Sequence, residues 1–199
     1  MDVRAKILNE ATRLFAERGV DGTSLQEISD AVGVRKPSLL YHFPSKEALH
    51  ASVLEQILSR WSEAVPRLLK AVAREDRFDA ILDETIQFFA GDPDRARLLL
   101  REALDRPREM RELLRAHAST WLALIADSIR KAQRDGAMHA DADPEAYVLQ
   151  VIHLVIGTFA VGPILQTLVG ARASGAVDPR LVRELKRVAR AALQKSRRN

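Results

Sequence analysis

The chain has 199 residues, of which 47% are apolar and 29% charged, so it can bury a hydrophobic core and is not disordered throughout. It contains no cysteine, which excludes disulfides, thiolate nucleophiles and cysteine-bound metal clusters. The formal net charge is +4, yet residues 1–50 hold seven acids and seven bases; a nucleic-acid surface would therefore have to be a local basic face.

The N-terminal segment has charged residues where a signal peptide needs an apolar core, which predicts a cytoplasmic protein. An apolar stripe at i, i+4, i+7 and i+8 predicts a first helix that ends at Gly19. Ser24 and Glu27 have the spacing of a capping box, which predicts a short second helix that Gly33 terminates. The stripe of the first helix consists of Ile7, Ala11, Leu14 and Phe15.

A third helix is expected from Arg35, with Pro37 in its first turn, to a stop before Pro44. Ser45 then resembles the cap of a fourth helix. Beyond residue 50, Asp-Pro pairs and glycines mark further helix starts and breaks. They predict helices near residues 45–72 (with a bend possible at Pro66), 76–90, 93–105, 107–134, 144–172 and 179–196. No segment alternates with period two, so the fold class is all-α, with about nine helices.

The second and third helices, joined by a short turn that contains glycine, have the layout of a helix-turn-helix. Such a motif requires the last helix to protrude far enough to enter a major groove while the others pack beneath it. Between Arg35 and Lys46 there are three bases and no acid, which suits contact with phosphates and base edges. The outward residues of the third helix are expected to be Arg35, Lys36, Ser38, Tyr41 and His42.

The runs Thr23–Ile28 and Gly33–Leu49, with Tyr-His-Phe followed by Pro-Ser-Lys-Glu-Ala-Leu, strongly resemble the TetR family of bacterial one-component repressors. The resemblance covers about residues 3–50. It implies a helix-turn-helix DNA-binding domain over residues 1–47 and a helical effector-binding and dimerisation domain over residues 48–199. It also implies a homodimer that binds palindromic operator DNA and releases it when a small apolar or amphipathic molecule binds.

The resemblance assigns phosphate contacts to Tyr41, Lys46 and a hydroxyl, of Ser24 or Thr23, at the start of the second helix. It places His42 at the margin of the phosphate contacts and assigns base-edge contacts to Gln26, Arg35, Lys36 and Ser38. Leu40 departs from the family pattern, because a tyrosine is common there, and Arg35 replaces a small residue. The full DNA-binding set that it implies is Thr23, Ser24, Gln26, Arg35, Lys36, Pro37, Ser38, Tyr41, His42 and Lys46.

Aromatic side chains on facing helices can line an apolar pocket, and a histidine beside them can orient a ligand. The candidate effector-binding residues are Trp61, Phe88, Phe89, His117, Trp121, His153 and Phe159. Packing in the core, or an interface for the histidines, is the alternative role for each of these residues. The chemical class of the effector cannot be read from them.

The last two predicted helices, within residues 144–172 and 179–196, are expected to form the dimer interface. Gly157 and Gly162 would let backbones approach, and the apolar surface would come from Val151, Leu154, Val155, Leu165 and Leu168, with Leu181, Leu185, Val188 and Ala192 on the last helix. Residues 146–171 carry no charge, and an uncharged stretch of this length is long enough to span a membrane. A buried helix is favoured, since its polar side chains would be costly in lipid.

Two other classes of function remain open. One is a small-molecule-binding helical protein or enzyme without a DNA role, although the sequence contains no metalloprotease, phosphate-loop or nucleophile-elbow motif. A loop with His139, Asp141 and Asp143 is a weak candidate for a metal site, and no cofactor is expected. The other class is a membrane-anchored regulator that uses residues 146–171.

Overall fold

The computed structural model describes residues 2–71, 77–170 and 177–193, and within these ranges the chain is all-helical, with no strand. Eleven α-helices and one 3-10 helix are present there. They are α1 (Val3–Arg18), α2 (Leu25–Val32), α3 (Lys36–His42), α4 (Lys46–Ala71), α5 (Arg77–Ala90), α6 (Asp94–Asp105), α7 (Pro107–His117), α8 (Ser119–Arg134), α9 (Pro144–Ala160), α10 (Gly162–Leu165), the 3-10 helix (Gln166–Val169) and α11 (Pro179–Leu193).

The predicted ends and caps of the first four helices are confirmed. Gly19 follows α1 with φ +76°, and its N–H bonds to the carbonyl of Phe15. Gly33 follows α2 in the left-handed region, also with φ +76°, where a residue without a Cβ is favoured. The hydroxyl of Ser45 accepts the N–H of Ala48 at 3.1 Å and so caps α4. α4 continues through Pro66.

The prediction of one helix over residues 107–134 is wrong, because the chain forms α7 and α8 with a break at Ala118. Two side chains compete for the backbone there. Ser62 of α4 donates to the carbonyl of His117 at 3.2 Å, and Ser119 donates to the carbonyl of Arg115 at 2.8 Å. Serine hydroxyls that bond backbone carbonyls commonly bend or interrupt a helix.

The prediction of one helix over residues 144–172 is also wrong. α9 ends at Ala160, and α10 with the 3-10 helix continues at an angle of 59°. Pro163 supplies the reason, since proline has no N–H to donate and its ring clashes with the preceding turn. Residues 171 and 172 lie outside the described residues, as do 72, 76 and 194–196 at other predicted helix ends.

α1 packs both on the short helices α2 and α3 and on later helices of the chain. Its buried residues include Ile7, Leu8 and Phe15, and the helix packs against α2, α3 and α4 and most extensively against α6. The expected domain boundary between residues 47 and 48 falls within the first turn of α4. The division into two domains stays a prediction, and the structure adds that α1, on which α2 and α3 pack, also packs on α6.

Candidate nucleic-acid interface

A complete capping box sets the start of α2. The hydroxyl of Ser24 accepts the N–H of Glu27 at 3.1 Å, and the carboxylate of Glu27 accepts the N–H of Ser24 at 2.8 Å. The hydrogen bond from the Ser24 backbone, then that from its side chain, lower the pKa of Glu27, and the charge of Arg18 adds to this effect. The backbone direction at α2 is therefore fixed by local bonds.

α3 is anchored by one face and exposed on the other. Leu39 and Phe43 are buried against the core that contains Ile28 and Phe15, and the guanidinium of Arg4 lies 5.1 Å from the centre of the Phe43 ring. By contrast, 87% of Tyr41 is exposed. The helix is therefore held from beneath while it presents its opposite side to solvent, as a recognition helix must.

The outward surface of α3 has the chemistry that the sequence predicts. Its own residues include no acid, and the half-buried His42 ring meets the Tyr41 ring edge-on, with centroids 5.4 Å apart. Arg35 is the N-cap residue but makes no side-chain cap, so its guanidinium is not used to close the helix. The exposed residues at this surface are Arg35, Lys36, Pro37, Ser38, Leu40 and Tyr41.

Lys46 has a structural role that the sequence does not reveal. Its ammonium donates to the carbonyl of Val20 at 2.9 Å and to that of Thr23 at 3.2 Å, which ties the start of α4 to the turn before α2. An ammonium has three donors, so two of these bonds leave one for a phosphate. Lys46, Lys36 and Ser24 line a cleft of about 420 Å³, with Asp21, Gly22, Thr23, Leu25 and Glu27 completing it.

The prediction of a hydroxyl contact is wrong for Thr23 and remains open for Ser24. Thr23 is 2% exposed, and its hydroxyl lies within hydrogen-bond distance of the carbonyls of Gly19 and Leu14; it therefore closes the turn and does not face a ligand. Ser24 is exposed although it also caps α2. Gln26 is exposed as well, and its amide donates to Asp30 at 2.8 Å.

Contacts distant in the sequence join this interface to the rest of the chain. Arg106 pairs with Asp21 at 3.1 Å, and Arg101 reaches the carbonyl of Glu17 at 3.4 Å. The imidazole Nε2 of His50 lies 3.1 Å from a carboxylate oxygen of Glu102, and both side chains are buried. The sequence gives no signal for the two arginine contacts, since 84 and 85 residues separate their partners.

Four of the candidate effector-binding aromatics lie together in the core. Trp61, Phe88, Phe89 and Phe159 are all buried, and successive ring centroids lie 5.2, 5.0 and 6.5 Å apart. The chain of rings joins α4, α5 and α9. This arrangement brings the predicted aromatics together as packing residues, and their contact with an effector stays a prediction.

The other three candidates differ from one another. Trp121 is partly buried and packs on the core, and its indole Nε1–H is a buried donor without a hydrogen-bond acceptor in the described part of the chain. His117 lies at the end of α7, half-buried, where its carbonyl contacts α4. His153 is exposed on α9, so it lies on the surface and not among the aromatic rings.

The predicted dimer surface carries exposed apolar side chains on α9, α10 and the 3-10 helix, with Val188 on α11. Val155 and Leu185 are instead buried within their own subunit, so their assignment to the interface is wrong. Gly162 lies against the Leu181 side chain of the same chain, and Gly157 has open space beside it. The exposed members on the first three elements are Leu149, Leu154, Ile164, Leu165, Leu168 and Val169.

The structure brings no further ligand side chains from the described residues to the candidate metal site in the loop of His139, Asp141 and Asp143. Asp143 caps α9 by accepting the N–H of Ala146, and the carbonyl of His139 accepts from Gln133. No set of three or more potential metal-binding side chains is found across residues 2–71, 77–170 and 177–193. Within the same ranges no single helix is long and apolar enough to cross a membrane, and only the bent pair of α9 with the segment Gly162–Val169 reaches that length and composition.

Two family models match the chain and together span more than half of it. The first, described as bacterial regulatory proteins of the tetR family, matches residues 7–53. The second, described as the tetracyclin repressor-like C-terminal domain, matches residues 99–168. Both descriptions name regulatory proteins, and the first match covers the helix-turn-helix of α2 and α3. The chain belongs to the TetR family.

Individual relatives resemble the N-terminal part. The HTH-type transcriptional regulator RutR of Escherichia coli is 51% identical over 55 residues, which are 28% of this chain and 26% of RutR. The biofilm operon negative regulator IcaR of Staphylococcus epidermidis is 42% identical over 53 residues, 27% of this chain and 29% of IcaR. The match thus spans about a quarter of these relatives.

The whole fold resembles a solved regulator. The ketosteroid transcriptional regulator KstR2 of Mycobacterium tuberculosis superposes with a TM-score of 0.72, covering 98% of this chain and 96% of that one, at 18% identity. This likeness extends through the helices that follow the helix-turn-helix, where the RutR and IcaR matches do not reach.

Proposed function

We propose that this chain is a transcriptional repressor that binds palindromic operator DNA as a homodimer and is released from it by a small apolar or amphipathic effector. The observation that carries the proposal is the outward surface of α3, which is acid-free and presents Arg35, Lys36 and an almost fully exposed Tyr41 above a buried anchor at Leu39. Such a helix supplies donors for phosphates and base edges. A DNA-binding protein of this kind acts in the cytoplasm.

The proposed dimer rests on the exposed apolar side chains of α9, α10 and the 3-10 helix. Large exposed apolar patches on soluble proteins often mark interaction sites. Packing of two such surfaces across a two-fold axis would place two copies of α3 on the same side of the molecule. The spacing required to read a palindrome is about 34–36 Å, one turn of the duplex.

Release by an effector would act through the contacts of α6 with α1, on which α2 and α3 pack. A ligand that binds better to one spacing of the two α3 helices shifts the population toward that spacing by its differential affinity. The aromatic core of α4, α5 and α9 lies in the part of the chain that would hold such a ligand. Negative regulation is supported by the relative IcaR, which is named a negative regulator.

The test of DNA binding combines salt and a single substitution. We expect affinity for fragments from the upstream region of its own gene to fall by on the order of 10³-fold between about 50 and 200 mM salt, since phosphate contacts release counterions. Tyr41→Ala should weaken binding by about tenfold for each phosphate hydrogen bond that it removes. Because Tyr41 lies outside the core, the thermal unfolding of this variant should match that of the wild-type protein.

Fluorescence anisotropy of labelled fragments measures both effects. Affinity that changes with neither salt nor Tyr41→Ala would contradict DNA binding through α3. The effector is tested separately, by screening small molecules for thermal stabilisation together with loss of DNA binding. Compounds that stabilise the protein without releasing DNA would indicate a ligand-binding helical protein instead of a ligand-controlled switch.

A further inference from the structure

The DNA-facing side of α3 carries one large aliphatic side chain, that of Leu40. It is 36% exposed, whereas the adjacent Leu39 is completely buried. Leu40 is not one of the buried residues of the core. The local fold therefore uses Leu39 as the anchor of α3 and leaves part of Leu40 open to solvent.

The residues next to Leu40 on the helix surface are also exposed. Residues three and four apart lie side by side on a helix, so Leu40 is adjacent to Pro37 and Lys36, both of which are exposed. Leu40 and Pro37 thus form a small apolar patch beside an ammonium group. A single exposed leucine is ordinary on a protein surface, but this one lies on the surface to which the proposed function assigns base contacts.

The base edges of the major groove present hydrogen-bond donors and acceptors, with one apolar group among them, the C5-methyl of thymine. An aliphatic side chain that covers any other base edge would remove water from a polar group without replacing its hydrogen bond. The thymine methyl is the partner that avoids this cost. The deoxyribose of the backbone is the competing apolar partner, and it carries no sequence information.

We propose that Leu40, with Pro37 beside it, determines sequence specificity by contacting the C5-methyl group of a thymine in each operator half-site. This inference rests on the proposed function, since it requires α3 to enter the major groove. It commits the operator to thymine at one position of each half-site. Cytosine at that position would present an amino group and no methyl group to Leu40.

Replacement of thymine by uracil tests the contact, because the two bases differ only by that methyl group. The probe is a duplex selected from a random pool by the wild-type protein and then prepared with either thymine or uracil. We expect the uracil form to bind the wild-type protein about fourfold more weakly for each methyl contacted, the loss expected for exposing one buried methyl. Single-position replacement should localise the effect to one thymine in each half-site.

Three variants separate the contact from general effects of uracil on the duplex. Leu40→Ala should bind the thymine duplex more weakly and bind the two duplexes equally. Leu40→Met keeps an apolar side chain and should retain the preference for thymine. Leu104→Ala, at a leucine that is 73% exposed near the end of α6, is the matched control and should show the wild-type ratio. Thermal unfolding of each variant verifies that it is folded.

Equal binding of both duplexes by the wild-type protein, a selected operator without thymine at that position, or the same thymine preference in Leu40→Ala would each overturn the inference. In these cases DNA binding itself, and so the proposed function, would stand. Failure of the wild-type protein to select any duplex would overturn the proposed function and this inference with it.

Discussion

Lys46 shows how one side chain can serve both the fold and the interface. Its ammonium lies between two carbonyls of the turn before α2, and the same group lines the cleft that faces Lys36. A phosphate in this cleft would therefore meet a lysine whose position is already fixed. Fixing the donor before binding reduces the entropy lost when the complex forms.

Lys46→Met is expected to lower the free energy of unfolding by about 1–3 kcal/mol, because it keeps the aliphatic stem but removes two hydrogen bonds to partly buried carbonyls. Denaturant unfolding measures this decrease. If Lys46 also binds a phosphate, the log–log slope of DNA affinity against salt should become shallower by about 0.9 for each phosphate that the variant no longer neutralises.

Lys36→Met is the control for Lys46→Met. Lys36 is exposed on α3, so its replacement should reduce the salt slope without changing stability. An unchanged free energy of unfolding in Lys46→Met would show that the two hydrogen bonds of Lys46 do not stabilise the fold. An unchanged salt slope would show that Lys46 holds the turn before α2 in place but does not bind a phosphate.

At the scale of elements, α2 depends on a few local bonds at its first turn. The helix has eight residues, too few to be stable without caps and tertiary packing. Its capping box is therefore part of what keeps α3 in place. Loss of the box should therefore disturb the position of α3 and the cleft that Ser24 and Glu27 line with Lys36 and Lys46.

The capping box predicts a pH dependence of stability. The folded state holds the pKa of Glu27 below its ordinary value of 4.5, so the contribution of this carboxylate is present above that value. It is lost as pH falls through the lowered pKa. Glu27→Gln should therefore reduce the melting temperature near neutral pH, and the difference from the wild-type protein should shrink in acid.

Melting curves of both proteins from about pH 3 to pH 7 measure this convergence. Glu63→Gln, at an exposed glutamate of α4, controls for the loss of one surface carboxylate. A difference between Glu27→Gln and wild type that persists at the acid end would show that the capping carboxylate is not its source.

The predictions of elements from the sequence succeeded where local chemistry decides the outcome. Gly19, Gly33 and the Ser24–Glu27 pair mark helix ends through bonds within a few residues, and the structure has those ends in place. The break at Ala118 coincides with a hydrogen bond from Ser62, which lies on another helix. A partner that distant leaves no periodic signal, so the sequence indicated one continuous helix.

The same distinction holds at the candidate site. The exposed set on α3 could be predicted because the helix period separates it from Leu39. Thr23 could not, since its hydroxyl bonds to the carbonyl of Gly19, and a sequence pattern does not show which way a hydroxyl at a helix start turns. Lys46 was assigned from a resemblance, which gave the residue but not its two carbonyl partners.

At the scale of the molecule, the His50–Glu102 pair joins α4 to α6 beneath α1. The His50 ring also meets Phe15 edge-on, with centroids 5.5 Å apart, so three helices converge on it. The two groups are in contact by distance, but the geometry is not that of a hydrogen bond, and Nε2 of His50 has no hydrogen-bond partner in the described residues. Replacing both groups by apolar side chains should therefore cost less than removing one of them.

Glu102→Ala is expected to lower the free energy of unfolding by about 1–3 kcal/mol, the range for losing a buried polar partner. The double variant His50→Leu with Glu102→Leu should be clearly less destabilised than the sum of the two single variants. Denaturant unfolding of the single and double variants measures the coupling. Additive effects would mean that the two side chains act independently in the fold.

The proposed dimer predicts a change of assembly state. Leu168 is 82% exposed on the 3-10 helix, so Leu168→Glu should leave the subunit folded but place a charge in the interface between subunits. Sedimentation should then show monomers, and operator affinity should fall by at least about 10²-fold because one α3 can no longer position the other. Leu104→Glu is the control and should remain dimeric. If Leu168→Glu is still a dimer, the face formed by α9, α10 and the 3-10 helix is not the dimer interface.

The packing of α1 has a consequence for protein engineering. Because one side of α1 supports α2 and α3 while another lies on α6, residues 1–47 do not form a cassette that can be exchanged alone. A hybrid protein that joins residues 1–47 of this chain to the C-terminal part of another would also have to include the surface of α6 that α1 packs on. Otherwise apolar side chains of α1 would lose their packing partners.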